Sequence, residues 1–285
     1  MLSNYIRARK VRSWEVKAGT GVVQTWDHKM PEKWADPDPS VIRGFLAKGG
    51  NPLEADAKHG LSVLHHVARQ NPNPENLTRL LEEGLPLDWC CIRWRLSPLA
   101  WTMFDNRSKL LAGFQNAKVL LNFGASLGHV SKVWNMNMFH CIAFCDERFR
   151  YIFDQTSLLN LNINEVMRGD ADYGFTPLGI AVQNGNFWIC KRLVECGASV
   201  DGGVGEERSP ILCAVELFQQ SWKADDHAGG IACLKFLLEK GADVNRQHKT
   251  DAILKSKTAF DATLLIKDAE KRDEVRKVLL EYGAK

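Results

Sequence analysis

The feature that most constrains this chain is a short motif that returns along most of its length. Each copy opens with Thr, Ser or Asn, continues into apolar residues, and is clearest at Gly174-Phe-Thr-Pro-Leu-Gly-Ile-Ala181. The opening residues fall at positions 62, 97, 137, 176, 209 and 258, so the period varies between 33 and 49 residues. A period of this size indicates stacked similar units, because one unit has to complete its apolar face against its neighbours.

Most copies are followed by an apolar helical run that ends at glycine, as in Leu193-Val-Glu-Cys-Gly197. This order predicts a helix, a short turn, a second helix and then a glycine that caps it in the left-handed conformation. An earlier run, Val41-Ile-Arg-Gly-Phe-Leu-Ala-Lys-Gly49, predicts the second helix of an N-terminal capping unit.

At these residues the chain resembles the ankyrin-repeat family. The fourth copy, with Gly185 and Gly197-Ala-Ser-Val-Asp201, departs from the family pattern at few positions. The resemblance covers residues 40–285 and implies an all-α ankyrin-repeat solenoid of about six repeats, each with two antiparallel helices and a short β-hairpin finger. Extra residues between the two helices of the second and fifth repeats predict surface loops at 105–113 and 218–230.

Residues 1–39 do not fit the repeat. Within them, 14–26 alternate around Gly-Thr-Gly and predict a hairpin, and Pro37 and Pro39 separate this segment from the repeats. We expect residues 1–39 to be an extension that caps the first repeat, since the apolar edge of a terminal unit must be covered. Docking of a partner on this segment is the alternative.

Charge and hydropathy exclude several classes of function. Lys and Arg total 37 against 34 Asp and Glu, a formal net charge of +3, which is too balanced for an electrostatic nucleic-acid binder. No apolar run is long enough to span a membrane. The eight cysteines lack the paired C-x-x-C spacing of zinc sites. We therefore expect a cytoplasmic protein with no nucleic-acid or membrane partner.

No combination of residues predicts catalysis, a cofactor or a metal. Gly124-Ala-Ser-Leu-Gly128 matches the G-x-S-x-G of hydrolases but follows a helix, whereas that chemistry needs a strand before the serine. His65 and His140 occupy a position where the family has a histidine that is expected to bond to backbone. Asp170, Asp172 and Gly174 lack the later ligands of a calcium loop. We expect a protein that is not an enzyme and holds no cofactor.

One row of positions predicts a surface for a protein partner. Three places before the opening residue, at the fingertip, successive repeats have Trp94, Trp134 and Tyr173. In proteins similar to this one, the fingertip, its neighbours and the position seven places after the opening residue line a concave face that contacts partners. Aromatic residues, Met and Arg are typical of interface hot spots. The predicted partner-binding residues are Arg93, Trp94, Arg95, Leu96, Phe104, Trp134, Met136, Tyr173 and Phe175.

An alternative is that this strip is buried. The N-terminal segment or the inserted loops could fold over it, and a shift of the register by one residue would place Phe144 and Phe175 in the core. Replacing Trp94 and Trp134 distinguishes the two alternatives. If the rings are exposed, their loss lowers the affinity for a partner, and if they are buried, their loss lowers the stability of the fold.

The expected function is to grip one protein partner in the concave face and to mask or inhibit it, with the free protein a monomer. Proteins similar to this one include bacterial immunity proteins that neutralise a toxin. The alternative is a scaffold that joins two proteins, and a weaker one is an enzyme within residues 1–39.

Overall fold

The structure is a computed structural model, and it describes residues 33–55, 60–92, 95–104, 110–131, 133–167, 174–203, 208–219, 227–248 and 258–285. The predicted hairpin at residues 14–26 lies outside this part of the chain. The described residues form helices joined by short connections, with isolated β-bridges instead of a sheet.

The helices follow one another as pairs after a single first helix. In chain order within the described residues they are α1 Pro39–Ala47, α2 Val63–Gln70, α3 Pro74–Glu82, α4 Pro98–Met103, α5 Leu110–Asn122, α6 Met138–Ile142, α7 Arg150–Ser157, α8 Pro177–Gln183, α9 Phe187–Glu195, α10 Pro210–Leu217, α11 His227–Glu239, α12 Ala259–Ala262 and α13 Ala269–Glu281. Short 3₁₀ turns at Glu147–Phe149 and Thr263–Leu265 precede α7 and follow α12. The pairs from α2/α3 to α12/α13 confirm the prediction of about six repeats.

The residue that opens each repeat is the N-cap of the first helix. The Thr176 hydroxyl, for example, accepts the backbone N–H of Gly179 at 3.1 Å, and Ser97 accepts that of Ala100 at 3.2 Å. Such a bond satisfies one of the N–H groups that a helix start leaves unpaired, which explains why only Ser, Thr and Asn occupy this position here. Equivalent caps are made by Ser62, Asn137, Ser209 and Thr258.

The predicted glycine caps are confirmed. The glycines that end the second helices have φ angles between 80° and 96°, a region that other residues enter only with strain. They are Gly84, Gly124, Gly197, Gly241 and Gly283. Gly49 ends α1 in the same way with φ 75°, as its sequence predicted.

The two inserted loops are shorter than predicted. α5 begins at Leu110 and α11 begins at His227, so residues 110–113 and 227–230 belong to helices and not to loops. Both helices have 13 residues, whereas α9 has nine. The glycines at 113, 229 and 230 misled the sequence interpretation, since glycine inside a helix is disfavoured in general. At Gly229 a Cβ would collide with the backbone carbonyl oxygen of Gly185, which cannot move aside as a side chain can, so close packing of the helix requires glycine there.

The described residues form two compact units. The first comprises residues 33–102 and 110–126, and the second comprises residues 103–104 and 127–285. In the first unit the core is formed by aliphatic side chains of α2 to α5, including Leu64, Leu80, Leu99 and Leu120.

Residues 33–38 are attached to the rest of the first unit by buried amide groups. Trp34 is 2% exposed and its ring lies 4.9 Å from that of Phe45. The side-chain amide of Asn71 donates to the carbonyls of Trp34 and Asp36, both at 2.8 Å. A buried amide stabilises a fold only when it is hydrogen-bonded, so these bonds fix the path of the chain into α1. Whether residues 1–32 complete a cap stays a prediction.

Buried histidines connect the first and third repeats to the finger of the repeat that follows. In the first unit His65 Nε2 is 3.1 Å from the carbonyl of Leu96. In the second, the backbone N–H of Asn137 donates to Nδ1 of His140 at 3.2 Å, so Nε2 carries the proton and donates to the carbonyl of Glu165 at 3.0 Å. Both rings are completely buried, and each bonds to backbone at the position where the family has a histidine.

A second set of bonds repeats along both units. A carboxylate or amide oxygen beyond the second helix of one repeat accepts a backbone N–H at the equivalent place in the next repeat. Four such bonds occur among the described residues: Ser126 to Asp88 at 3.1 Å, Ser199 to Asn164 at 2.8 Å, Asp243 to Asp201 at 2.8 Å and Lys285 to Asn245 at 3.0 Å.

We predict that acid destabilises the second unit through His140. Burial lowers the pKa of His140 from 6.5 to about 4, so the unfolded chain takes up a proton at a pH where the folded chain does not. The free energy of unfolding should therefore fall as the pH drops from about 6.5 towards 4, with at most about 3 kcal/mol from this group. Chemical denaturation at a series of pH values measures it. The His140→Gln variant should show a shallower decline, and parallel curves for the two proteins would contradict the assignment.

Candidate functional site

The structure divides the predicted strip into buried, partly exposed and undescribed positions. Arg93, Trp94 and Tyr173 lie outside the described residues. The other predicted residues lie directly before the N-cap, at the fingertip two or three places before it, or at the end of the first helix, and the first of these places is buried whereas the other two are at least partly exposed.

The position directly before the N-cap is buried in every repeat in which it is described. Leu96 and Met136 are each 1% exposed and Phe175 is 7% exposed. The expectation that these three side chains face a partner is therefore wrong, and they belong to the core. The physical reason is that this position lies at the base of the finger, where the chain folds back on itself. Met136 and Phe175 form antiparallel bridges with Ser131 and Met167, and the carbonyl of Leu96 accepts the N–H of Cys91 at 3.0 Å.

The position seven places after the N-cap is partly exposed in every repeat. In the second unit this position holds Phe104 and Phe144, whose ring centroids lie 5.4 Å apart in an edge-to-face arrangement at 77°. The same position is Arg69 in the first unit, and Gln183 and Glu216 further along the second. In the last repeat it is Leu265, which is 46% exposed. The side chain at the end of each first helix is therefore accessible, whereas the side chain directly before each N-cap is not.

Trp134 is a partly exposed fingertip residue. Its neighbour Val133 is 58% exposed, and Asn135 has a left-handed backbone with φ 53°. The amide of Asn135 donates to the carbonyl of Val166 at 3.2 Å and to the carboxylate of Glu165, which fixes the finger. The indole nitrogen of Trp134 is buried and has no acceptor among the described residues. The indole nitrogen is thus turned away from solvent although part of the side chain is exposed.

The finger of the second repeat turns sharply at Arg95. The N–H of Cys91 donates to the carbonyl of Leu96 at 3.0 Å, and the N–H of Arg95 donates to that of Cys91 at 3.1 Å. Arg95 has φ 51° at the position where the first repeat has Gly60 with φ 66°. Ile92, three residues before Arg95 in the chain, is 61% exposed. This turn therefore combines a strained backbone with an exposed cation and an exposed apolar side chain.

In the fifth repeat the position seven places after the N-cap holds Glu216, which forms an ion pair within the same repeat. Arg208 contacts Glu216 at 3.0 Å, with 11% and 15% of their side chains exposed. The Arg208 guanidinium also lies 5.2 Å from the centroid of the Phe175 ring. Burial raises the pKa of Glu216, although the positive charge of Arg208 opposes the shift. Because Arg208 and Glu216 pair with each other inside the fold, they are less suited to contact a partner than an exposed side chain is.

No grouping of His, Cys, Asp and Glu in the described part of the chain could hold a metal ion. The eight cysteines form no disulfide, and burial raises the pKa of Cys141 to about 12, which disfavours its reactive thiolate. Ser126, in the G-x-S-x-G match, follows a helix and its capping glycine, as the repeat pattern predicts. No helix within the described ranges is long and apolar enough to cross a membrane.

The comparisons with known proteins agree with the helix pairs, caps and fingers. Residues 173–202 match the family model described as ankyrin repeat. The protein has an ankyrin-repeat fold. The human ASB11 ankyrin repeat domain is 20% identical with a TM-score of 0.60, and the alignment covers 91% of this chain and 99% of that one.

Two further ankyrin repeat domains have similar folds. That of Bcl-3, a member of the IkappaB protein family, is 15% identical with a TM-score of 0.52 over 90% of this chain and 100% of that one. One from Acinetobacter baumannii AYE is 19% identical with a TM-score of 0.51 over 78% of this chain and 98% of that one. Ankyrin repeats are in general protein–protein interaction modules, and members of the family are typically not enzymes.

Sequence reasoning missed the left-handed backbone at Arg95 and Asn135. The signal was present, because the first and fourth repeats have glycine at the same position, two places before the N-cap. When glycine occupies a position in some repeats, the backbone there is expected to have a positive φ in all of them. A larger residue at the same position in another repeat then indicates that its side chain has a role.

We predict that Arg95→Gly stabilises the first unit. Glycine adopts φ near 50° without the steric cost that a Cβ imposes, which is about 1 kcal/mol. The variant should unfold at a higher denaturant concentration than the wild type. Asn135→Gly is the matched control and should show no gain, since it loses the bonds to Val166 and Glu165. A loss of stability in Arg95→Gly equal to that of the control would contradict the strain argument.

Proposed function

We propose that this protein binds one protein partner through its fingertips and the ends of its first helices, and that binding masks the partner's active surface. The observation that carries the proposal is the edge-to-face pair of Phe104 and Phe144, which stays partly exposed in a row where each repeat presents one side chain. Two adjacent rings offer a large apolar contact area at a small cost in side-chain entropy. Trp134 adds a third partly exposed ring at a fingertip of the same unit.

The arrangement favours binding over catalysis. The rings are held by packing, and the polar groups near them are engaged in bonds that fix the fingers, as with Asn135 and Glu165. A rigid apolar patch of this kind can exclude water from a partner but offers no general acid, base or nucleophile to a substrate. We therefore propose a protein that is not an enzyme, needs no cofactor and is monomeric until its partner binds. Neutralisation of a toxin is one form that masking can take.

A scaffold role is the second candidate, and one observation favours it. On α7, Tyr151 is 60% exposed and Leu158, just beyond its end, is 78% exposed. These residues belong to the second helix of the third repeat, whereas Phe144 follows the first helix. An apolar patch at a second place is a site where a different protein can bind.

We predict that capture from a native lysate separates these functions. The bait is the full chain as wild type, as Trp134→Ala/Phe144→Ala and as Tyr151→Ala. A masking protein retains its partner in one-to-one stoichiometry with the wild type and with Tyr151→Ala, and loses it by about tenfold or more with the double variant. The unfolding transition of each variant is measured in parallel to show that the bait is folded.

Other results point elsewhere. A scaffold gives two captured proteins, one lost in each variant. If the double variant retains every protein that the wild type retains, the rings do not bind a partner and the proposal is wrong.

A further inference from the structure

The first helix of the sixth repeat exposes a leucine at a position that the other repeats bury. In the second unit α8 packs on α10 and α10 packs on α12, so the following repeat covers one side of the fourth repeat and of the fifth. The residue six places after the N-cap is fully buried in all five earlier repeats, but in the sixth it is Leu264, which is 69% exposed. The buried equivalents are Ala68, Met103, Ala143, Val182 and Val215.

The second helix of the sixth repeat differs in the same way. Seven places before the closing glycine, the sixth repeat has the partly exposed Arg276, whereas the four earlier repeats that end in glycine have a fully buried, uncharged residue. Leu280, one turn further along α13, is 54% exposed, although two of its equivalents, Leu81 and Leu238, are 4% and 5% exposed. The buried equivalents of Arg276 are Leu77, Ala117, Cys190 and Leu234.

Arg276 connects the two helices at this surface. Its guanidinium carbon lies 4.0 Å from the centroid of the partly exposed Phe260 ring on α12, and its Nη1 donates to the hydroxyl of Thr263 at 2.8 Å. Neither contact brings a negative charge, so the guanidinium is oriented by neutral groups and keeps its full charge. We call the surface formed by Phe260, Leu264, Arg276 and Leu280 the end face.

The charges beside the end face leave it positive. By helical spacing, Arg272 and Asp273 lie on the same side of α13 as Arg276 and contribute one charge of each sign. Asp273 makes no ion pair with Arg276 among the described contacts, and Arg272 donates to the carbonyl of Ile266 at 3.3 Å. The end face is therefore apolar at its leucines and positive at its centre.

Resting on the proposed function, we propose that a helix of the partner protein packs on the end face, with apolar side chains against Leu264 and Leu280 and a carboxylate against Arg276. Such a helix continues an interface that the fold already uses, because a helix pair covers the equivalent positions in the earlier repeats. Leu265, which belongs to the row seven places after the N-cap, directly follows Leu264. The proposed binding positions therefore extend to the end face.

A helix of another protein fits the end face better than a second copy of this chain does. A two-fold contact between two end faces would bring Arg276 of one copy towards Arg276 of the other, and like charges repel each other. A carboxylate instead matches the paired N–H donors of the guanidinium. A second copy therefore enters as an outcome of the test.

The test uses the full chain and fluorescein-labelled peptides that a side-chain staple holds in a helix. The first peptide has leucines along one side and one glutamate in the middle of that side. The second has lysine in place of the glutamate, and the third has the residues of the first in an order that spreads the leucines around the helix. Fluorescence anisotropy gives the affinities, and sedimentation velocity gives the oligomeric state.

The glutamate peptide should bind the wild type about tenfold or more tightly than either of the other peptides does. Leu264→Gln and Arg276→Gln should each weaken its binding severalfold, while Arg276→Lys retains part of it. Because Leu264 is exposed, Leu264→Gln should unfold at the same denaturant concentration as the wild type, so its loss of affinity cannot come from unfolding.

Two matched controls should leave the affinity unchanged. Leu158→Gln removes a leucine that is 78% exposed elsewhere in the second unit, and Lys277→Gln removes a positive charge from the exposed residue that follows Arg276 on α13. A severalfold loss with either control, equal to that of Leu264→Gln, would show that binding is not confined to the end face and would contradict the inference.

Three further results overturn it: equal affinity for the glutamate peptide and either of the others, no binding of any peptide, and a wild-type dimer that Leu264→Gln dissociates. The proposed function fails separately, in the capture experiment. A partner that requires Trp134 and Phe144 but binds Leu264→Gln and Arg276→Gln as well as the wild type leaves the function standing and removes the helix on the end face.

Discussion

The stacking of one helix pair on the next is the interaction on which the rest of this structure depends. A pair such as α8 and α9 has a core of only a few side chains, and Ile180, Ile189 and Leu193 become fully buried only because adjacent repeats of the same unit cover them. Polar bonds set the register of this stacking. His140 reaches the carbonyl of Glu165, and Asp201 accepts the N–H of Asp243, so each repeat is fixed at the finger and again beyond its second helix.

This register determines which residues can be used for function. Within a repeat, the N-cap and the residue before it are committed to the fold, as Thr176 and Phe175 show. The end of the first helix and the fingertip are not needed for stacking, so their side chains vary in chemistry from one repeat to the next. The N-cap and the residue before it therefore stay constant in their role, whereas the side chain at the end of the first helix varies between repeats. In this protein Phe104, Phe144 and Arg69 occupy that variable position.

Much of the frame could be predicted from the sequence because it depends on local chemistry. The capping glycines were predicted from single residues and are confirmed, and the Ser, Thr or Asn that opens each copy of the motif is the N-cap of the first helix. The start of α5 and α11 could not be predicted, since Gly113 and Gly230 suggest a loop unless the close neighbours of the helix are known. The partner-binding residues were predicted by counting positions from the opening residue of each repeat. Counting does not show whether a side chain points to the core or to the surface. Leu96, Met136 and Phe175 were assigned to the surface for that reason, and the structure places them in the core.

The central claim is that a partner covers the helix ends and fingertips, and hydroxyl-radical footprinting of the complex measures this most directly. The method reports the solvent accessibility of individual aromatic side chains with and without the partner. The account predicts that oxidation of Trp134, Phe104 and Phe144 decreases in the complex, while that of Tyr151 and Phe187, on the second helices, is unchanged. Protection of Tyr151 and Phe187 with unchanged oxidation of the three other rings would contradict it.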